Sequence, residues 1–294
     1  MLEIHNDHIF SSGQILKKNN VDKIYYKTLS LKTNDQHVLE IFILHDLLKY
    51  HDPYLDFAQQ LLSSLEVPTK IILFDLSGHG LSTGTRGHID SVDEYIDDIK
   101  IILDSFPVSQ TQKRLIISEG FSALLILDYI YANHEKVKGI LSGVILAIPA
   151  LKLKSLQNVV SQKTFTKYLP KMMERVRVPF VGFFTEKLLY KSFLRFNVDD
   201  PLVMKNGSLK MVQEIYGLST RIRPMPYLFD LPFLFLLNNQ DALLDIDLVK
   251  VFFKGLTGEK SQLLEYDESK GGAFLLEKSH EILGAVVLWI KQIF

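Results

Sequence analysis

The sequence predicts an α/β protein built on a mostly parallel sheet with helices on both faces. Three observations lead there. Short continuous apolar runs recur at residues 38–44, 71–74, 115–117, 144–148 and 233–237, as expected of strands buried on both faces. Segments of helical periodicity separate them, at residues 54–65, 91–106, 124–131 and 247–254, so strand and helix alternate as in crossover units. Small and polar residues gather where the apolar runs end: His45, residues 78–84, Ser118 to Ser122, Pro149 and Asp241. Sites in such sheets lie beyond the carboxyl ends of the strands.

The elements follow in order. Residues 23–31 read as a β segment ending in the turn signal Thr33-Asn34-Asp35, and residues 38–44 as a strand ending at His45-Asp46. The helix over 54–65 is stopped by Pro68, and the strand over 71–74 runs into Asp75-Leu76-Ser77-Gly78-His79-Gly80. Ser91 and Glu94 form a capping box that opens an acidic amphipathic helix to about residue 106. Next comes Arg114-Leu115-Ile116-Ile117-Ser118-Glu119-Gly120-Phe121-Ser122-Ala123, in which an apolar β-type run breaks into a small-residue turn and an apolar helix. That is the layout of a nucleophile elbow, with glycine at the central position of the usual Gly-x-Ser-x-Gly. A strand over 144–148 closes at Pro149.

Between residues 151 and 226 the strand rhythm stops. This segment reads as helices and loops, with helices over 156–173, 185–196 and 208–218, and carries 14 Lys and Arg against 5 acids. The sheet rhythm then resumes with a strand over 233–237, a helix over 247–254, a strand over 262–266 and a last helix over 280–293. The expected organisation is therefore a core from residues 1–150 and 227–294, with a helical cap inserted at 151–226.

Composition narrows the function classes. The 294 residues carry a net charge of −1, which gives no global attraction to nucleic acid, and there is no cysteine for a disulfide or thiolate site. Residues 1–7 lack a basic start followed by an apolar core, so no secretory leader is expected, and no apolar run approaches the ~18 residues of a membrane span. A cytoplasmic protein is expected. No phosphate loop and no metal-ligand cluster is visible, so neither cofactor nor metal is expected.

These motifs together resemble the α/β-hydrolase fold family, and within it the monoacylglycerol lipase and lysophospholipase branch. His45-Asp46 stands where that branch has His-Gly. Asp75-Leu76-Ser77-Gly78-His79-Gly80-Leu81-Ser82 matches its Asp-x-x-Gly-His-Gly-x-Ser loop. Asp200-Pro201-Leu202 matches a triplet of its cap. Leu236-Leu237-Asn238-Asn239-Gln240-Asp241 matches the strand ending in the catalytic acid, and Phe274-Leu275-Leu276-Glu277 resembles the His-Glu-Leu-Leu region through its Leu275-Leu276 pair. The resemblance implies a Ser, Asp, His triad in that chain order. In this register Gly120 holds the nucleophile position, Asp241 the acid position and Ala273, or a neighbouring glycine, the histidine position, so two of the three groups are missing. It also implies an oxyanion site around Asp46, Leu47 and Phe121, where a carboxylate opposes the charge to be stabilised.

Replacement residues can be named. Ser118 and Ser122 flank Gly120, but small residues are what a tight turn requires there. Glu119 is expected as a pocket-floor carboxylate bonded to backbone or to a basic neighbour. His280, in His280-Glu281-Ile282-Leu283, stands at the start of the last helix rather than in the loop before it. Gly80-Leu81-Ser82-Thr83-Gly84 is a literal Gly-x-Ser-x-Gly without a following helix, and His79 beside it reads as a packed histidine. The leading expectation is a catalytically impaired homologue that binds a small apolar or acyl-chain ligand. The alternatives are a working carboxylester hydrolase using Ser118, Ser122 or Ser82 with His280 or His79, and a different reaction with Glu119 or Asp241 as base. Aromatic and cationic residues interleave over 178–196, which fits either a pocket lining or peripheral contact of the basic cap with an anionic membrane.

Overall fold

A computed structural model describes residues 2–5, 8–32, 37–107, 109, 112–152, 173–179, 200–224, 226, 229–241, 244–267, 275 and 279–294. Its centre is a nine-stranded sheet. The strands in chain order are β1 (Leu2–His5), β2 (His8–Leu16), β3 (Lys23–Leu31), β4 (Leu39–Leu44), β5 (Thr69–Phe74), β6 (Lys113–Glu119), β7 (Gly143–Ala147), β10 (Phe233–Asn238) and β11 (Gln262–Tyr266). Their spatial order is β1-β2-β3-β5-β4-β6-β7-β10-β11. From β5 to β11 the neighbours pair in parallel, whereas β1, β2 and β3 join antiparallel at one edge.

The parallel half is the α/β sheet expected from the apolar runs. Every residue of β4, β7 and β10 is buried, because crossover helices cover both faces. The helices are α1 (Leu55–Ser64), α2 (Asp93–Ser105), α3 (Phe121–Ala132), α4 (His134–Lys138), α5 (Leu209–Ile222), α6 (Ile246–Lys254) and α7 (Ser279–Ile293). Among them α1 packs against α7, and α3 packs against α2 and α5. Helix α3 is buried along Phe121 to Ile130, as expected of an apolar sequence interrupted there by Ser122 and Asp128. The α2 start keeps half of its capping box: Glu94 Oε1 accepts from the Ser91 amide at 3.3 Å, but the Ser91 hydroxyl accepts from Asp93 rather than from the third helical residue.

Two expectations change. The hairpin of β1 and β2 extends the sheet beyond the single β segment read at residues 23–31. Its strand β2 mixes Ser11, Ser12, Gly13 and Gln14 with apolar residues and is only partly buried, so it lacks an apolar run. The segment at 151–226 is also not helix and loop alone. Within it β8 (Arg177–Pro179) pairs antiparallel with β9 (Asn206–Ser208), three residues against three, too short to show a period. The helix expected over 208–218 is α5; those expected over 156–173 and 185–196 lie outside the described residues.

The parallel strands aim β4, β5, β6, β7 and β10 at one end of the sheet. The turns after β4, β5 and β6 meet there.

Candidate functional site

The turn after β6 has the geometry its sequence promises. Gly120 sits between strand and helix at φ 62°, ψ −122°, a conformation that L side chains adopt only under strain. Its amide donates to the Ala147 carbonyl at 3.0 Å and its carbonyl accepts from Ala150 at 3.0 Å, so neighbouring β7 clamps the turn.

What stands at its apex is a carboxylate. A Cβ built on Gly120 would lie 2.4 Å from Asp46 Cγ, Oδ1 and Oδ2 alike. Two backbone amides converge on the same group: Phe121 N–H, first in α3, donates to Asp46 Oδ1 at 2.8 Å, and Leu47 N–H donates to the same oxygen at 2.8 Å. Asp46 Oδ1 therefore occupies the donor pair, while Oδ2 accepts no hydrogen bond from any described residue. The structure thus brings Gly120, Asp46, Leu47 and Phe121 together, and Asp46 leaves no room for a side chain at position 120. Burial pushes the Asp46 carboxyl up to about 6, with Glu119 adding to the rise and Lys49 and the two amides opposing it.

Beneath the turn lies a buried polar cluster. Glu119 is fully buried; its Oε2 accepts from Lys49 Nζ at 3.1 Å and from the Tyr54 hydroxyl at 2.6 Å. Its Oε1 accepts from the Leu275 amide at 3.4 Å, which brings the C-terminal part of the chain to the same floor. Tyr54 in turn accepts from the Asp46 amide at 3.1 Å. Glu119 is thus held by a cation and by backbone, as its position suggested. Lys49 and Tyr54 were not singled out from sequence. The signal available was a carboxylate at a strand end, which needs a cation from a facing loop.

The serines are engaged elsewhere or enclosed. Ser122 Oγ donates to the His45 carbonyl at 2.5 Å, tying α3 to the β4 loop. Ser118 is fully buried, and its hydroxyl has no hydrogen-bond partner among the described residues. Ser82 Oγ donates to the Asp75 carbonyl at 2.6 Å and accepts from the Tyr25 amide at 2.8 Å, a fastening of its loop to β3. His79 is packed between the carbonyls of Leu47 and Ser77. Buried His45 takes the Leu76 amide on Nε2 and donates from Nδ1 to the Asp46 carbonyl at 2.8 Å; burial pulls it down to about 3, so it is neutral. Asp241 is buried in the turn after β10, where Oδ1 accepts from the Leu244 amide at 2.8 Å. Ala273 and the side chain of His280 lie outside the described residues.

One Ser-His-Asp chain does form, away from this turn. The Ser208 hydroxyl lies 2.8 Å from His88 Nδ1, and His88 Nε2 lies 3.1 Å from Asp90 Oδ1. Ser208 is fully buried and also accepts from the Met211 amide at 3.0 Å, capping α5. That places it as a helix cap tying the 151–226 segment to the core. Among the described residues no His, Asp and Glu group could hold a metal ion, and no helix is long and apolar enough to cross a membrane.

A parallel sheet flanked by helices, with a strained strand-to-helix turn beside two converging amides, defines the α/β-hydrolase fold. The chain belongs to the serine aminopeptidase S33 family (Hydrolase_4), whose profile matches residues 35–270. It is 21% identical over 234 residues to phospholipase YtpA of Bacillus subtilis, covering 79% of this chain and 87% of that protein. Among solved structures it resembles a monoacylglycerol lipase of Paleococcus ferrophilus, at 20% identity and a TM-score of 0.72, over 87% of this chain and 95% of the other. It also resembles a soluble variant of the Saccharomyces cerevisiae monoglyceride lipase, at 15% identity and a TM-score of 0.75, over 97% of each chain.

Proposed function

We propose that this protein is a hydrolase-fold binding protein whose acyl-transfer site is closed from within, and that its ligand is a small apolar or acyl-chain molecule held under a cap formed by residues 151–226. One observation carries the reading: the Asp46 carboxylate accepts both amides at the elbow and fills the space a nucleophile would need at Gly120. In a working site those two donors receive the oxyanion that forms as a hydroxyl attacks an ester. Here they already hold an anion, and an entering ester oxygen would meet a second negative charge. Gly120 supplies no nucleophile and, in the same register, Ala273 supplies no base. Losing either group alone costs about six decades of turnover in a serine hydrolase.

The active-hydrolase reading gains nothing from the other hydroxyls, since Ser82 and Ser122 donate to carbonyls and Ser118 is enclosed. The lipases and the phospholipase that the chain resembles support an acyl-chain ligand. Treating the purified protein with a fluorophosphonate probe, and separately with monoacylglycerols and lysophospholipids, tests the reading. No labelling and no turnover above background is expected. Stoichiometric labelling, or turnover of either ester well above background by wild type, overturns it.

A further inference from the structure

The occupied elbow inverts the polarity that a ligand meets. An open site of this kind offers two N–H donors and so selects acceptors: an ester carbonyl, a carboxylate or a phosphoryl oxygen. Here both donors end on Asp46 Oδ1. The remaining oxygen, Oδ2, lies 2.4 Å from where a Cβ at position 120 would stand, at the apex from which a nucleophile's side chain would emerge. It accepts from no described residue, so the polar atom presented at the apex is an acceptor.

Charge points the same way. Among the described residues the cluster at the floor contains two carboxylates, Asp46 and Glu119, and one ammonium, Lys49, which pairs with Glu119 at 3.1 Å. With both carboxylates ionised the floor carries one surplus negative charge in a buried setting. A second carboxylate brought there meets like-charge repulsion together with the loss of its own hydration. A hydroxyl gains a hydrogen bond to a charged acceptor, and an ammonium gains a counter-ion.

We infer that the ligand headgroup recognised at this elbow is a hydrogen-bond donor, a hydroxyl or an amine on a single alkyl or acyl chain, with Asp46 Oδ2 as its acceptor and with carboxylates and simple esters selected against. The inference rests on the apolar-ligand reading proposed above and deepens it by naming the headgroup chemistry.

A chain-matched series tests it on the full-length protein at about pH 8, below the aggregation threshold of each compound: dodecylamine, dodecanol, dodecanoate and methyl dodecanoate, measured by calorimetry. Wild type should bind the amine and the alcohol about ten- to a hundredfold more tightly than dodecanoate, the range a hydrogen bond to a charged group commands. Asp46→Gly bares both amides and should reverse the order in favour of dodecanoate. Asp46→Asn keeps the space filled while removing the charge, and should lose the amine preference without reversal; it serves as well if the glycine variant does not fold. Wild type binding dodecanoate as tightly as the alcohol and the amine overturns the headgroup inference alone and leaves the apolar pocket standing. An amine preference unchanged in Asp46→Asn overturns it too, by placing the acceptor elsewhere. No binding of any of the four compounds to wild type or to either variant overturns the pocket itself, and the headgroup inference with it.

Discussion

Placing a side chain at position 120 should be severely destabilising while Asp46 is present and only moderately so once it is removed. A Cβ at Gly120 would stand 2.4 Å from three atoms of the Asp46 carboxylate, where unstrained contacts between carbon atoms are about 3.5–4.0 Å. The carboxylate must therefore leave, and with it the bonds from Phe121 and Leu47, each 2.8 Å long. Two hydrogen bonds to a charged group are worth about 3–6 kcal/mol together. Holding a non-glycine residue at φ 62° adds about 1–3 kcal/mol. Gly120→Ala in the wild-type background should thus cost about 4–9 kcal/mol, a large part of the ~5–15 kcal/mol typical of a folded protein. In the Asp46→Gly background only the backbone strain remains, about 1–3 kcal/mol. The assay is a double-mutant cycle in urea, followed by the fluorescence of Trp289, which is buried with its indole N–H donating to the Lys260 carbonyl at 3.0 Å. A coupling of about 3 kcal/mol or more is expected. Additivity within about 0.5 kcal/mol, the behaviour of independent sites, would refute the placement of Asp46 at the elbow apex.

Other perturbations reach the same cluster. The folded Asp46 carboxyl titrates at about 6, above its unfolded value of about 3.9, so its contribution to stability is fully present in acid and is lost as the pH rises through 6. The stability of wild type relative to Asp46→Asn should therefore fall by about 2 kcal/mol between about pH 4 and about pH 7, read from urea curves at each pH; a constant difference contradicts the shift. Lys49→Met leaves the buried Glu119 carboxylate without its cation and should cost about 3–5 kcal/mol, most of it recovered by adding Glu119→Gln; no recovery would mean that the pair is not what holds Lys49. Ser208→Ala removes the cap of α5 and the partner of His88, and should lower stability by about 0.5–2 kcal/mol without changing ligand binding at the elbow. A change in binding of the dodecyl series would place the Ser208 and His88 pair closer to the ligand than the structure does.

Much of this architecture is written in local sequence. Strands β4, β6, β7 and β10 are continuous apolar runs because both of their faces are covered, and the structure places each within a residue or two of its run. The glycine-centred turn was legible for the same reason, as an apolar strand passing through small residues into an apolar helix. Strands β1 and β2 carry no such run: β2 lies near the sheet edge, partly exposed, and its register depends on pairing with β3 rather than on its own period. The site was harder to read than the sheet. Asp46 could be recognised as a carboxylate in the wrong place for acyl transfer, but not as the occupant of the donor pair. That depends on the direction of one side chain and on contacts 74 and 75 positions along the chain, made to Gly120 and Phe121. Lys49 and Tyr54 were hidden in the same way, since nothing within four residues of either shows that both end on Glu119.

The sealed elbow can be tested directly through the amide protons that seal it. Phe121 N–H and Leu47 N–H both donate to one carboxylate oxygen, so in a proton–nitrogen NMR titration their resonances should move together, with a common inflection near 6, in wild type and not in Asp46→Asn. Resonances that stay still through that range, or that move equally in the asparagine variant, would contradict an elbow closed by Asp46.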